Sequence, residues 1–203
     1  MTSIVDYAIR EFTDQELEPI RLEVAAIAED FKQAQINNPK RDGFLNHEYK
    51  LKDTLPYIEQ LLMPMLMENL DRLPHMPRIN QMFNVRPPLY LDVAWVNFMH
   101  KGEFHPPHMH AGVVSWSMWL EIPYTYDEED ALNLRVGHTM FSRAGRFEFY
   151  GVGHREEILY RPMKVQRNQV MMFPSDQTHA VNPFFSSDGV RISVSGNFRF
   201  LTK

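Results

Sequence analysis

Cysteine is absent from the 203-residue chain. That excludes disulfides, thiolate metal ligands and a cysteine nucleophile. Basic residues are outnumbered, with 21 Lys and Arg against 26 Asp and Glu and a formal net charge of -5. This balance gives no bulk attraction to nucleic acid or to an anionic membrane, and neither is expected as a partner. Long hydrophobic runs are missing too. The most apolar stretches, around residues 61–70 and 113–120, fall well short of the roughly 20 residues a spanning helix needs. No cationic start leads into an apolar run with a small-residue cleavage site, so no secretory leader is expected. What is present is a composition 44% hydrophobic, enough for a sizeable core and far from that of disordered chains. For this length the expectation is a cytoplasmic protein with one core and an appendage.

The N-terminal third reads as helical. Leu17, Ile20, Val24, Ile27 and Phe31 recur at three- and four-residue steps and share one helix face. Thr13 and Glu16 have capping-box spacing, while Pro19 argues that the regular helix begins only there. Residues 37–43 read as a loop. A second helix is predicted over 54–70, with Pro56 in its first turn and Leu62, Met63, Leu66 and Leu70 facing inward. Pro64 predicts a kink or interruption within it.

From about Leu73 the prolines break helical runs, and β-branched and aromatic residues cluster. Residues 90–99, 113–122, 145–152, 157–163, 169–173 and 190–200 read as strands. Short strands at close spacing point to a sandwich or barrel rather than a parallel sheet with crossover helices. The predicted fold is therefore α+β and mainly β. A double-stranded β-helix, or jelly-roll, core spans 79–203, with an N-terminal helical segment, 1–78, packed against it as one structural unit. Residues 124–130, carrying four acids, read as a solvated loop or as part of a lid.

Nine histidines are the unusual feature, three of them between His105 and His110. Pro106 and Pro107 force the residues before them into extended conformation. On an extended chain residues two apart point the same way, so His108 and His110 aim both imidazoles at one point, as a metal requires. His105 is assigned to the rim. His179, just past the turn after residues 169–173, is the third candidate ligand, and His154-x-Glu156 is a competing pair. Twelve residues beyond His179, Arg191 and Ser193 alternate onto one face of a strand. An inward-facing Arg needs an anionic partner, either a carboxylate ligand or one of the chain's own acids. Trp95, Trp116, Met118 and Trp119 are candidates to wall the site, at least two of them being expected as ordinary core.

Taken together, His108-x-His110, the Phe173-Pro174-Ser175 turn with His179, and Arg191-x-Ser193 resemble the non-haem Fe(II)- and 2-oxoglutarate-dependent dioxygenases. With Trp95-Val96-Asn97 and Ser115-x-Ser117 added, the likeness narrows to an oxygenase group common in bacteriophages and covers roughly residues 90–200. If the chain is virus-encoded, its compartment is the host cytoplasm. The resemblance implies Fe(II) held by His108, His110 and His179, and 2-oxoglutarate bound through Arg191 and Ser193 with a contact from Asn97. It also implies hydroxylation of an unidentified substrate by O2, with release of succinate and CO2. The wider superfamily usually has Asp or Glu where this chain has His110, which leaves Glu103 and Asp176 as stand-in carboxylates. The alternatives are a cupin-like metalloprotein that does not use 2-oxoglutarate, a non-catalytic jelly-roll binding protein and a zinc hydrolase. A cupin would need a Glu where the chain reads Ala111-Gly112-Val113-Val114, and a hydrolase would need a paired general base.

Overall fold

A computed structural model describes residues 7–37, 45–73, 76, 81, 85–132, 143–152 and 158–201. Ten strands and three α-helices are found among the described residues: β1 Ala8–Glu11, α1 Asp14–Glu29, β2 His47–Leu51, α2 Leu55–Asn69, β3 Leu89–Met99, β4 His105–His108, β5 Val114–Glu121, α3 Tyr126–Ala131, β6 Phe147–Val152, β7 Ile158–Met163, β8 Gln169–Pro174, β9 His179–Val181 and β10 Arg191–Phe200. The strands form a six-stranded sheet in the order β1-β8-β5-β10-β3-β2 and a four-stranded sheet in the order β4-β9-β6-β7. Every ladder is antiparallel. From β3 to β10 the chain steps back and forth between two four-stranded layers, which is the double-stranded β-helix. No described helix is long and apolar enough to cross a membrane.

The six strands predicted in the C-terminal part are all present, with ends displaced by at most two residues. The N-terminal segment holds more than helices. Its β1 pairs with β8 and its β2 with β3, so it supplies both outer strands of the larger sheet.

Thr13 and Glu16 form the expected capping box, and α1 starts at Asp14 rather than at Pro19. Proline removes one helical bond, that to the carbonyl of Gln15, and Gln15 is exposed. The second helix likewise runs through Pro64 without interruption, with Ile58, Leu62, Met65 and Leu66 buried. Met63, expected inward, is only partly buried. The acidic stretch 124–130 is not a solvated loop. Tyr124 is buried, and α3 begins there on a second capping box, Thr125 with Glu128. The Glu129 carboxylate of α3 is wholly buried and accepts hydrogen bonds from the backbone N–H groups of Phe185 and Ser186.

Strand alternation sorts the larger sheet into two faces. Val96, Phe98, Trp116, Met118, Leu120, Val170, Met172 and Val194 face outward, into one apolar cluster with Leu17, Ile20, Ile58 and Leu62 of the helices. A second cluster lies between the sheets, where Trp119, Met171 and Phe173 meet Phe147 and Phe149. The rest of that inner face mixes Trp95 and Met99 with polar residues, among them Asn97, Ser117, Ser193 and Ser195.

Candidate metal centre and cosubstrate cleft

His108 ends β4, His179 begins β9, and the two stand opposite each other in the ladder. His110 follows two residues after His108, and its backbone N–H is donated to the Ser175 carbonyl at 2.9 Å. One ligating atom from each of these three histidines lies within 4.8 Å of the others. The extended Pro-Pro entry and the turn after β8 thus bring together the residues the spacing singled out.

The tautomers of two of them are set by their neighbours. His108 Nδ1 lies 2.7 Å from the Pro106 carbonyl, and His179 Nδ1 lies 2.9 Å from the Gln177 carbonyl. A carbonyl only accepts, so each Nδ1 carries the hydrogen and each Nε2 keeps its lone pair. Burial disfavours the charged forms of His110 and His179. Desolvation, helped by the nearby His108, pushes His110 down to about 4 and His179 well below its ordinary range. Phe147 stacks on His179 at 5.3 Å and Phe173 meets it edge-on at 4.8 Å, which accounts for that burial. Three clustered imidazoles form a donor set suited to a divalent transition metal.

The cleft beside them has a cavity volume of about 30 Å³. Its floor is made by three strands in register. Ser195 of β10 lies between Trp95 of β3 and Ser117 of β5, and Ser193 lies between Asn97 and Trp119. Met99 comes next, paired with Arg191. Trp95 and Trp119 therefore wall the cleft, whereas Trp116 and Met118 are turned to the helix side by alternation. Asn97 Oδ1 is buried without a hydrogen-bond partner among the described residues, and a buried orphan of this kind calls for an occupant.

Arg191 is buried at 2% exposure, yet it makes no ion pair among the described residues. Its guanidinium donates to Tyr124 Oη at 2.8 Å, to the Gly145 carbonyl at 3.1 Å and to the Asn182 carbonyl at 3.3 Å, and it touches Met99 Sδ. All of these partners are neutral. Among the described residues the charge is hydrogen-bonded but meets no acid, and no internal salt bridge is found there.

Two sequence-derived alternatives are not part of this centre. Glu103 is buried but engaged elsewhere, accepting from Asn46 Nδ2 at 2.6 Å and from the backbone N–H of His100 at 2.8 Å. Asp176 is exposed in the turn after β8. Neither joins the histidine cluster, in which no carboxylate is found among the described residues. His154 and Glu156 lie outside the described residues.

Sequence reasoning also missed contributors. His105, assigned to the rim, lines the cleft with its ring 4.1 Å from that of His108. Burial and the neighbouring His108 push it down to about 3. Leu45, from the N-terminal segment, forms part of the cleft wall, and no local pattern marks it. Tyr124 had a signal, an aromatic residue directly before a capping box.

No curated protein matches the chain. Solved structures resemble it in fold. A prolyl-4-hydroxylase of Pseudomonas putida is 12% identical with a TM-score of 0.60, over 98% of this chain and 94% of that one. The viral collagen prolyl hydroxylase of Paramecium Bursaria Chlorella virus-1, solved with 2-oxoglutarate, is 12% identical with a TM-score of 0.55, over 96% of both chains. HygX of Streptomyces hygroscopicus, solved with nickel and 2-oxoglutarate, is 12% identical with a TM-score of 0.51, over 96% of this chain and 83% of that one. The sequence itself matches the family described as "Putative 2OG-Fe(II) oxygenase" over residues 93–197, more than half of the chain and the whole stretch holding the three histidines, Asn97, Arg191 and Ser193. The chain accordingly belongs to the 2OG-Fe(II) oxygenase family, whose members use Fe(II) and 2-oxoglutarate.

Proposed function

We propose that the protein is an Fe(II)- and 2-oxoglutarate-dependent hydroxylase in which His108, His110 and His179 hold the iron. In this reading Arg191 and Ser193 receive the distal carboxylate of 2-oxoglutarate, and Asn97 contacts the cosubstrate. The observation that carries it is the Arg191 guanidinium, which meets no acid among the described residues and is buried on the strand whose next inward residues, Ser193 and Ser195, line the cleft beside three clustered imidazoles. A buried cation without an acid is costly, and a dicarboxylate reaching it from the cleft supplies the missing charge. Asn97 Oδ1, buried without a partner, marks the same row of the floor.

When bound, iron and 2-oxoglutarate supply the oxidising chemistry, with succinate and CO2 released as O2 is consumed. The chain's own work is placement and exclusion of water. The Pro106 and Gln177 carbonyls hold the Nδ1 hydrogens of His108 and His179 and so aim both Nε2 atoms at the centre. Trp95, Trp119, Phe147 and Met99 dry the cleft around it. The fold likeness to two prolyl hydroxylases favours hydroxylation of a C–H bond as the reaction type.

The test is an anaerobic titration of metal-free protein with Fe(II) and then 2-oxoglutarate, followed by visible absorbance. A charge-transfer band that requires both additions is the expected result. Iron binding with no response to 2-oxoglutarate would refute the cosubstrate assignment, and no iron binding would refute the centre itself.

A further inference from the structure

His110 is the least supported of the three histidines by regular structure, because it lies past the end of β4 in the irregular stretch before β5. Backbone bonds tie that stretch down on both sides. His110 N–H is donated to the Ser175 carbonyl at 2.9 Å, Ser175 N–H to the Val113 carbonyl at 3.3 Å, and Val113 N–H to the Phe198 carbonyl at 2.8 Å.

Under this strap lies a trio of buried polar side chains. Ser115 Oγ donates to Asn197 Oδ1 at 2.7 Å and hydrogen-bonds Ser175 Oγ at 3.0 Å. Ser115 and Ser175 are each 1% exposed and Asn197 is 6% exposed. None of the three lines the cleft, whereas Ser117, Ser193 and Ser195, on the same faces of the same two strands, all do. These hydroxyls and this amide are therefore spent on one another and not on a ligand. The strap sits directly on them. A Cβ at Gly112 would lie 2.8 Å from Ser175 Oγ and 3.2 Å from the Phe198 carbonyl, so only glycine lets the backbone come this close.

Ser175 also opens the turn that leads to His179, in which Gln177 N–H is donated to the Pro174 carbonyl at 3.0 Å. One residue thus holds His110 through its carbonyl and stands four positions before His179 in the chain. We propose that Ser175, locked by Ser115 and Asn197, is a positioning residue that fixes the distance between these two histidines and so sets the affinity of the metal centre. The inference rests on the triad proposed above. A fully connected buried network of this kind rigidifies what it touches, and supporting contacts around metal ligands typically change affinity by about ten- to a hundred-fold.

The experiment is a Co(II) titration of the metal-free full chain, reading the visible d–d bands, for wild type, Ser175→Ala, Ser115→Ala and Gly112→Ala. Thermal midpoints of the metal-free proteins are measured alongside. The expected result is wild-type binding, a roughly ten- to hundred-fold loss with altered d–d bands in each variant, and metal-free midpoints close to wild type for the two alanine-for-serine variants. A merely structural role would move the midpoint and leave the bands of the bound metal unchanged. If Ser175→Ala does not fold, Ser115→Ala, which leaves the turn's backbone untouched, decides the matter. Wild-type affinity and spectrum in the serine variants would overturn the positioning role while leaving the triad intact. Failure of wild type to bind Co(II) would overturn the triad itself and this inference with it.

Discussion

His108 and His179 are held by the same device. They face each other across the β4–β9 ladder with ring centroids 4.3 Å apart, and each Nδ1–H is donated to the carbonyl two residues earlier in its own chain segment. The pair is thus oriented before any metal arrives, with neither ring free to choose the other tautomer. If these histidines hold the metal, replacing either by alanine removes one of three donors and leaves the other aimed at an incomplete site. We expect His108→Ala and His179→Ala each to weaken Fe(II) binding at least about a hundred-fold, judged against the effect of supporting contacts alone. The check is anaerobic titration followed by metal analysis after gel filtration.

If Arg191 receives 2-oxoglutarate, its substitution separates cosubstrate binding from metal binding. Its donors form a fork that suits a carboxylate, and lysine keeps the charge but loses that geometry. Arg191→Lys is expected to retain Fe(II) affinity within about two-fold and to weaken 2-oxoglutarate by roughly ten-fold or more, the discrimination associated with a charge-assisted bidentate contact. Calorimetric titrations under argon, of Fe(II) into the metal-free protein and of 2-oxoglutarate into the Fe(II) protein, measure the two. Unchanged 2-oxoglutarate affinity would remove Arg191 from the cosubstrate site.

Acid should destabilise the metal-free protein earlier than the carboxylates alone would. The folded state holds His110 down to about 4 and His105 to about 3, against about 6.5 for a free imidazole. Between those values the unfolded chain takes up protons that the folded chain refuses, so stability falls as pH drops from about 6.5 toward 4. Each such imidazole contributes a slope of up to about 1.4 kcal/mol per pH unit. Thermal midpoints measured every half pH unit should decline through this window, and His105→Phe should make the decline shallower. A flat profile down to pH 5 would contradict the neutral cluster.

The strands that stood out in sequence are those with strict alternation between two buried environments. Residues 90–99, 113–122 and 190–200 were legible because one face of each meets the apolar helix layer while the other carries the polar and aromatic side chains of the cleft side. β1 and β2 were not. Ala8–Glu11 carries one half-buried residue among exposed ones, and its strand character comes from pairing with β8. His47–Leu51 likewise becomes a strand only beside β3. The three clustered histidines were recoverable because a proline pair and a two-residue spacing fix direction locally. His105 and Leu45 were not, because their place in the cleft depends on how the two sheets stack. α3 was misread by weighting four acids above the Thr125–Glu128 capping signal, although acids favour a helix's first turn.

The place of β1 and β2 bears on the division of the chain at residue 79. Removing residues 1–78 would strip β1 from β8 and β2 from β3, leaving two open edges on the larger sheet. It would also uncover the face formed by Val96, Phe98, Trp116, Met118 and Val194, which the helices now bury. The 79–203 fragment is therefore expected to aggregate or to lack a cooperative unfolding transition. Within the intact chain, Leu62→Ala should cost about 2–5 kcal/mol without changing metal affinity. A soluble, cooperatively folding fragment would refute this dependence.

Gly145 joins backbone strain to the surroundings of Arg191. Its φ is +70°, in the left-handed region, and a Cβ there would lie 2.5 Å from the Tyr124 ring. Its carbonyl accepts from both Tyr124 Oη and Arg191, at 2.5 and 3.1 Å. Alanine must therefore push Tyr124 aside, and with it the ring that lies 6.0 Å from the guanidinium and the hydroxyl that accepts from it. The backbone alone should contribute about 1–3 kcal/mol of destabilisation. If Arg191 receives 2-oxoglutarate, Gly145→Ala should also raise the 2-oxoglutarate Kd several-fold while Fe(II) affinity stays near wild type. Parallel thermal unfolding and 2-oxoglutarate titration distinguish the two effects. A loss of stability with unchanged 2-oxoglutarate binding would place Tyr124 and Gly145 in the scaffold only.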